Sequence, residues 1–253
     1  MPHPPAHNTL GFPFLELQSV DSTNNYVRRL VQERGLNSGT TVFTHEQVAG
    51  KGQRGKTWSS EKDANLILSV LIDPYPIPLS FQFHLSACIS IGVCDFFSKY
   101  AGEETTIKWP NDLYWKDRKA GGILMENIIS ETGKWKWVIV GIGININQTS
   151  FSSDLPNPVS LKQITGKDFE PVQLAKELCN CLNEQFHQLV NGGFETIYQD
   201  YLSHLYKKGR SVKLKQDNRV FDATIKGVSS HGELIVQHAI EERFDFGKVE
   251  WLI

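Results

Sequence analysis

The sequence predicts an α/β protein of the α+β kind, with a mixed β-sheet and flanking helices in residues 1–205 and a small β-barrel in residues 206–253. In the first part, short apolar or β-branched segments alternate with long stretches of helical periodicity. After about residue 207 the pattern changes to five closely spaced strand-like segments without a helix between them, which is typical of a small barrel. We therefore expect two domains, divided between residues 205 and 206.

The first helix is predicted from a capping signal. Asp21, Ser22 and Thr23 offer side-chain oxygens at a helix start, and apolar residues follow at helical spacing as far as Val31. Gly35 supplies the stop that ends many helices. Residues 1–14 are rich in Pro and His and lack the basic and apolar regions of a targeting segment, so we expect them to form a loose arm.

The remaining elements of the first part follow from periodicity and from turn residues. Strands are predicted at 40–46 and 65–72, in the segments TTIKW, LYW and GGILMENII between residues 105 and 129, and in the apolar segment at 135–146. Tight turns are predicted at 110–112 and 116–118, and Lys119 is expected to lie in a polar turn at this second site. Helices are predicted at 80–100, 171–190 and 194–205.

Composition excludes several classes of protein. The chain of 253 residues is 40% hydrophobic and 21% charged, with a formal net charge of −2, so it has no general attraction for nucleic acid or anionic membrane. The apolar stretch 79–94 is too short to span a bilayer and predicts a buried helix. The four cysteines lack metal or redox spacing, and no targeting segment is visible, which indicates reduced thiols in a cytoplasmic protein.

One motif suggests a different function. Residues 50–57, GKGQRGKT, fit the P-loop pattern G-x4-G-K-[ST] letter by letter. A P-loop requires a helix that begins at the Lys-Thr pair, but a strand is predicted from Asn65, and about eight residues are too few for a crossover helix. We therefore reject a P-loop NTPase, although glycines and cations in another topology can still bind phosphate.

Four polar segments together carry a family resemblance. They are Asp21-Ser22-Thr23-Asn24-Asn25, Gln47 with the following GKGQRG and Trp58, KWPNDLYWKDRKAGGIL at 108–124, and GIGININ at 141–147. In order and spacing the chain resembles the biotin–protein ligases, in the form that lacks an N-terminal DNA-binding domain. The resemblance covers nearly the whole chain. It implies a catalytic domain like that of the class II synthetases, followed by an SH3-like barrel.

The resemblance implies a biotin site. The ureido ring of biotin needs hydrogen-bond donors and acceptors at fixed positions, which hydroxyl and amide side chains supply. Glycines would let strands lie flat against the ring. The implied biotin-binding residues are Ser22, Thr23, Asn24, Gln47, Gly122, Gly141 and Lys119, with Gly121 and Gly143 beside them.

The resemblance also implies an adenylate site and three catalytic residues. The implied ATP- and adenylate-binding residues are Gly50, Lys51, Gly52, Gln53, Arg54, Gly55, Trp58, Asn111 and Asn145. The implied catalytic residues are Lys119, Arg54 and Asp112. Many relatives carry Arg where this chain has Lys51 and Gln53, so the cation that meets the α-phosphate is left open between Lys51, Arg54 and Lys56, with Arg54 favoured.

The implied reaction has two steps. Biotin and ATP form biotinyl-5'-adenylate and pyrophosphate, and biotin then passes to a lysine of a biotin carboxyl carrier protein. Mg²⁺ is expected to arrive with ATP, because no carboxylate cluster suggests a metal site built by the protein. Homodimer formation is left open.

Three rival interpretations remain. A lipoate or octanoyl ligase of the same fold is disfavoured, because an alkyl chain offers no partners to the Ser-Thr-Asn and Gln47 groups. A protein that only stores biotin or its adenylate would share the site. A DNA-binding repressor is disfavoured, because the residues before Asp21 are too few for a helix-turn-helix.

Overall fold

A computed structural model describes residues 9–33, 35–153, 155 and 157–252. The elements in chain order are β1 (Phe14–Leu17), α1 (Thr23–Glu33), β2 (Thr41–Thr44), β3 (Asn65–Ile72), α2 (Gln82–Ala101), β4 (Thr105–Lys108), β5 (Asp112–Trp115), β6 (Arg118–Ile129), β7 (Trp135–Asn145), α3 (Leu161–Thr165), α4 (Pro171–Val190), α5 (Phe194–Ser203), β8 (Ser211–Gln216), β9 (Arg219–Val228), β10 (Leu234–Gln237), β11 (Glu241–Phe244) and β12 (Glu250–Leu252).

The first sheet has seven strands in the order β1-β2-β3-β7-β6-β5-β4. Only the β1–β2 pair is parallel, so the sheet is mixed, as predicted. The second sheet is antiparallel, in the order β11-β10-β9-β8-β12, and its strands are the five segments from which a barrel was predicted. The fold class is therefore confirmed, whereas the division at residues 205 and 206 stays a prediction.

The expected N-terminal arm is wrong for the residues that the structure describes. Leu10 is buried, and its backbone N–H donates to Asn183 Oδ1 at 3.0 Å. From Phe14 the chain forms β1, which pairs with β2. Residues 1–8 of the predicted arm lie outside the described residues. A strand of four residues has too little periodicity to reveal itself, so its parallel partner determines it.

Helices cover both faces of the first sheet. β3 is buried along its whole length, and its alternate residues face α4 and the main apolar core on one side and α1 on the other. By length and composition alone, α2 could span a membrane. Most of it is buried in the fold, as predicted for a core helix. α1 packs Val27 against Val42, Leu71 and Ile139, so its position is fixed by β2, β3 and β7.

No helix follows the glycine-rich loop. Residues 57–64 contain only a bridge and a turn before β3 begins at Asn65. The helix that a P-loop requires is therefore absent from this part of the described chain. Residues 50–57 match the P-loop pattern in sequence but not in structure.

The two sheets meet around the KWPND segment. Trp109 Nε1 donates to the carbonyl of Gly232 at 2.9 Å, which ties β4 to the turn after β9. Lys108 Nζ donates to Tyr114 Oη at 3.2 Å and lies 5.5 Å from the ring of Trp251 on β12. Burial lowers the pKa of Lys108 from 10.5 to about 8, although Asp112 nearby acts in the opposite direction and Lys119 and Lys56 add to the lowering.

This lysine makes stability depend on pH. Between about pH 8 and pH 10.5, Lys108 binds more protons in the unfolded chain than in the folded one. The free-energy cost of burying the charged lysine therefore disappears as pH rises through that interval. We predict that Lys108→Met raises the melting temperature at pH 7 and that the difference from wild type shrinks towards pH 10. Melting curves across this range, with exposed Lys136→Met as control, check it. A difference that is constant with pH would contradict the assignment.

Candidate functional site

The polar start of α1 is buried in the sheet domain. Ser22, Thr23 and Asn24 expose only 2%, 3% and 2% of their surface. The backbone N–H of Thr23 donates to Gln47 Oε1 at 2.9 Å, and its hydroxyl donates to the same oxygen at 3.3 Å. The structure thus brings together the four residues predicted to bind biotin. The backbone N–H groups at the start of α1 need acceptors, and Gln47, in the segment after β2, provides one.

Two residues that the sequence analysis missed complete this network. Ser69 Oγ, fully buried on β3, lies 2.7 Å from Thr23 Oγ1 and 2.5 Å from Asn24 Oδ1. Asn24 Nδ2 donates to Glu126 Oε2 on β6 at 2.8 Å. A polar residue between apolar neighbours was the available signal for Ser69, because a buried polar group needs a hydrogen-bonded partner, whereas Glu126 is followed by Asn127 and carried no such signal.

A cavity of about 590 Å³ lies beside this network. Its walls are loop residues 49–52 and 54–57, together with Leu124 and Glu126 of β6. The loop contributes the cations of Lys51, Arg54 and Lys56 to the cavity. Cations and glycine N–H groups around a space of this size are suited to an anionic ligand.

The loop cations lie in different surroundings. Lys51 Nζ donates to Asn25 Oδ1 of α1 at 2.6 Å. Arg54 has a φ of 54°, and its guanidinium packs against Gly247 before β12, where an added Cβ would lie 3.2 Å from Cζ. Gln53 Nε2 donates to the carbonyl of Ile123 at 3.4 Å. Lys51 is thus anchored on α1 and Arg54 on the second sheet, so the choice of phosphate ligand stays open.

Glycine is required at the first position of the loop. A Cβ on Gly50 would lie 2.2 Å from the carbonyl oxygen of Trp58 and 2.5 Å from Gln47 Nε2. Real Cβ atoms do not approach so closely, so only glycine lets the loop start beside Gln47. The other loop glycines predicted for the adenylate, Gly52 and Gly55, line the same cavity.

Lys119 and Asp112 form an ion pair, with 2.7 Å between Nζ and Oδ1. The expectation that Lys119 lies in a polar turn is wrong, because it is the second residue of β6. Its backbone N–H donates to the carbonyl of Asn157 at 3.0 Å, and its carbonyl accepts from Val159 at 2.9 Å. Asp112 begins β5, directly opposite Gly122, so the strand ladder places both charges at one end of the sheet.

Asparagines fix the neighbouring backbone. Asn111 Nδ2 donates to the carbonyl of Ile123, and Asn145 Nδ2 donates to that of Val159 at 3.1 Å. Both asparagines are buried, with 6% exposure each. The carbonyl of Ile123 therefore accepts hydrogen bonds from Gln53 of the loop and from Asn111 of the KWPND turn, which joins these two predicted segments.

Side chains of the protein cover two of the predicted glycines. A Cβ on Gly141 would lie 2.4 Å from Asn24 Oδ1, and one on Gly143 would lie 2.6 Å from the Trp58 ring. The indole Nε1 of Trp58 is buried without a hydrogen-bond partner in the described part of the chain. Gly121 approaches the carbonyl oxygen of Gly143, where a Cβ would be 2.7 Å away. These glycines thus admit Asn24 and Trp58 against the sheet.

No metal site is visible among the residues that the structure describes. Within them, no three His, Cys, Asp or Glu side chains are grouped so that they could hold an ion.

Comparison with known proteins agrees with this geometry. The sequence profile of the Biotin/lipoate A/B protein ligase family matches residues 16–145. The bifunctional ligase/repressor BirA of Escherichia coli (strain K12) is 30% identical over 227 residues, which are 87% of this chain and 68% of BirA. The biotin–[acetyl-CoA-carboxylase] ligase of Paracoccus denitrificans is 27% identical, with 87% and 92% covered. The chain thus spans about two thirds of the length of the BirA relatives, 62% for that of Bacillus subtilis.

Solved structures share the fold. The biotin protein ligase from Aquifex aeolicus in complex with biotin and ATP has a TM-score of 0.79 at 24% identity, and the similarity covers 94% of this chain and 98% of the other. The Leishmania major biotin protein ligase in complex with biotinyl-5-AMP has a TM-score of 0.59 at 23% identity, covering 92% and 98%. From its sequence match and its fold, the chain belongs to the biotin/lipoate A/B protein ligase family.

Proposed function

We propose that this chain is an ATP-dependent biotin–protein ligase. It activates biotin with ATP to biotinyl-5'-adenylate, releases pyrophosphate, and transfers biotin to a lysine of a biotin carboxyl carrier protein. The observation that carries the proposal is the buried set Ser22, Thr23 and Asn24, with half-buried Gln47, next to a cation-lined cavity. A polar ring with both donors and acceptors matches this set, whereas a triphosphate matches the cavity.

The first step requires that two anions meet. The biotin carboxylate must attack the α-phosphorus of ATP, and the repulsion between them has to be offset by cations held in place beforehand. Lys119 and the loop cations can supply this charge. Mg²⁺ would be held chiefly by the phosphates of ATP, as is usual for this ion, since the described residues offer no cluster of ligands.

The second step requires a neutral amine. The carrier lysine is protonated in water, so its attack on the mixed anhydride needs a proton acceptor nearby. Asp112 is a carboxylate already placed beside Lys119. We assign it this role, in a reaction that we place in the cytoplasm.

Two observations bear on the rival functions. The alkyl chain of lipoate or an octanoyl group would offer no partner to Gln47 Nε2, the side of that amide not used by Thr23, which is unfavourable for a polar group covered by a ligand. A protein that merely stores biotin has no use for the Asp112–Lys119 pair. The deciding experiment is biotin-dependent release of pyrophosphate, repeated with lipoate, followed by transfer to a carrier domain. Equal turnover with lipoate would overturn the biotin assignment.

We predict that Lys119→Ala reduces adenylate formation by roughly a hundredfold or more, equivalent to about 3 kcal/mol, because a preorganised cation opposite the α-phosphate is lost. Biotin affinity should fall less, since the ureido contacts remain. Single-turnover formation of biotinyl-adenylate measures the effect.

Lys119→Ala leaves Asp112 without its partner, so a melting curve is the control for folding. Lys136→Ala is the matched lysine control. A folded Lys119→Ala protein that forms adenylate within threefold of wild type would remove Lys119 from the mechanism.

We predict that Asp112→Asn slows transfer to the carrier more than it slows adenylate formation. The amide keeps the shape of the carboxyl group but cannot accept a proton from the carrier lysine. Adenylate formation should fall as well, since Lys119 loses the charge that orients it. Single-turnover rates of the two half-reactions, the second started from preformed adenylate, separate these effects. Equal losses in both would instead indicate a role confined to phosphate binding.

A further inference from the structure

Glu126 is an anomaly in the cavity wall. The wall carries the cations Lys51, Arg54 and Lys56, as an anion site should, yet Glu126 contributes a carboxylate to it. A carboxylate beside a triphosphate is unfavourable unless it has another purpose. Arg28 of α1 reduces this repulsion, with 3.3 Å between its Nη2 and Glu126 Oε1.

The other oxygen of Glu126 holds Asn24. Asn24 Nδ2 donates to Glu126 Oε2 at 2.8 Å, and Asn24 Oδ1 lies 2.5 Å from Ser69 Oγ. An asparagine amide can be placed in two orientations that exchange its oxygen and nitrogen, and they are nearly equal in shape. An ionised carboxylate only accepts hydrogen bonds, so Glu126 permits just one of them: the Nδ2 group must face it.

The same logic holds for the neighbouring amide. Gln47 Oε1 accepts from the backbone N–H and from the hydroxyl of Thr23, so its Nε2 group is the side that stays available. With both amides fixed, the site presents a set pattern of donors and acceptors. Recognition of a ureido ring, with two N–H groups and one carbonyl, requires such a set pattern.

We infer that Glu126, held by Arg28, is a positioning residue that fixes the amide of Asn24 for recognition of the ureido ring. The inference rests on the proposed function, since it takes biotin as the ligand at Asn24. Glu126 acts on biotin through Asn24 and not by direct contact with the ureido ring. Its substitution should therefore weaken biotin binding, whereas ATP binding should not weaken, because a negative charge leaves the cavity wall.

The test compares Glu126→Ala, Glu126→Gln and Arg28→Ala with wild type. We expect the dissociation constant for biotin, measured by titration calorimetry, to rise on the order of tenfold in Glu126→Ala, because a hydrogen bond to a charged group is lost. Glu126→Gln should lie between it and wild type, since a glutamine oxygen can still accept from Asn24 but no longer forces one orientation. Arg28→Ala should show a smaller rise, of about threefold.

The KM for ATP should not rise in Glu126→Ala or Glu126→Gln, because each removes a negative charge from the cavity wall. The kcat at saturating biotin should stay within about twofold of wild type, as expected when only the uniform binding of one substrate is weakened. Glu131→Gln, in the exposed turn after β6, is the matched control and should change nothing. Melting curves show whether each variant is folded. A general structural defect would move kcat and the KM for ATP together with biotin affinity.

A double-mutant cycle with Asn24→Ala makes the test specific. If Glu126 acts through Asn24, then Glu126→Ala adds nothing to the loss of biotin affinity once Asn24 is alanine. Additive losses would overturn the inference, as would a folded Glu126→Ala that binds biotin within twofold of wild type. Failure of the wild-type protein itself to bind biotin would overturn the proposed function, and this outcome is distinct from both.

Discussion

The buried polar start of α1 is the constraint on which the rest of the site depends. Ser22, Thr23 and Asn24 lie at a helix end whose N–H groups need partners, and water has little access to them. Gln47 accepts from the backbone N–H of Thr23, whereas Ser69 and Glu126, from two other parts of the chain, bond to the side chains of this helix start. Because each unpaired buried polar group would cost about 1–3 kcal/mol, the network and the fold around it form together.

Small residues make this burial possible. Asn24 can reach the sheet only because position 141 has no Cβ, and Trp58 covers β7 only because position 143 has none. Gly50 places the loop against Gln47 in the same way. The polar network and the cation-lined cavity therefore adjoin through a series of close backbone approaches, each of which needs glycine.

Local sequence patterns predicted much of the fold, whereas pairings between segments distant in the chain were not predicted from the sequence. The expected strand at 65–72 and the expected helix at 171–190 coincide with β3 and α4, because apolar runs and helical spacing are local signals. Two features were not predicted. β1 is defined by its hydrogen bonds to β2, and the strand position of Lys119 is defined by its hydrogen bonds to residues 157–159. For the site, the resemblance indicated Asn24, Lys119 and Asp112, but Glu126 and the pairing of Lys119 with Asp112 depend on contacts between strands and helices, which require the structure.

The Asp112–Lys119 pair bears on the order of the two proposed steps. Without substrate, each charge is compensated by the other at 2.7 Å, so Lys119 is held in place without the need for solvent to reorganise. A biotin carboxylate that approaches the α-phosphate competes with Asp112 for the same ammonium. As negative charge grows on the phosphate, Lys119 is drawn towards it, and Asp112 loses part of its compensation. An oxygen of Asp112 that no longer bonds to Lys119 is free to accept from another donor. In the proposed reaction, the formation of the adenylate thus prepares the acceptor that the carrier lysine needs in the second step.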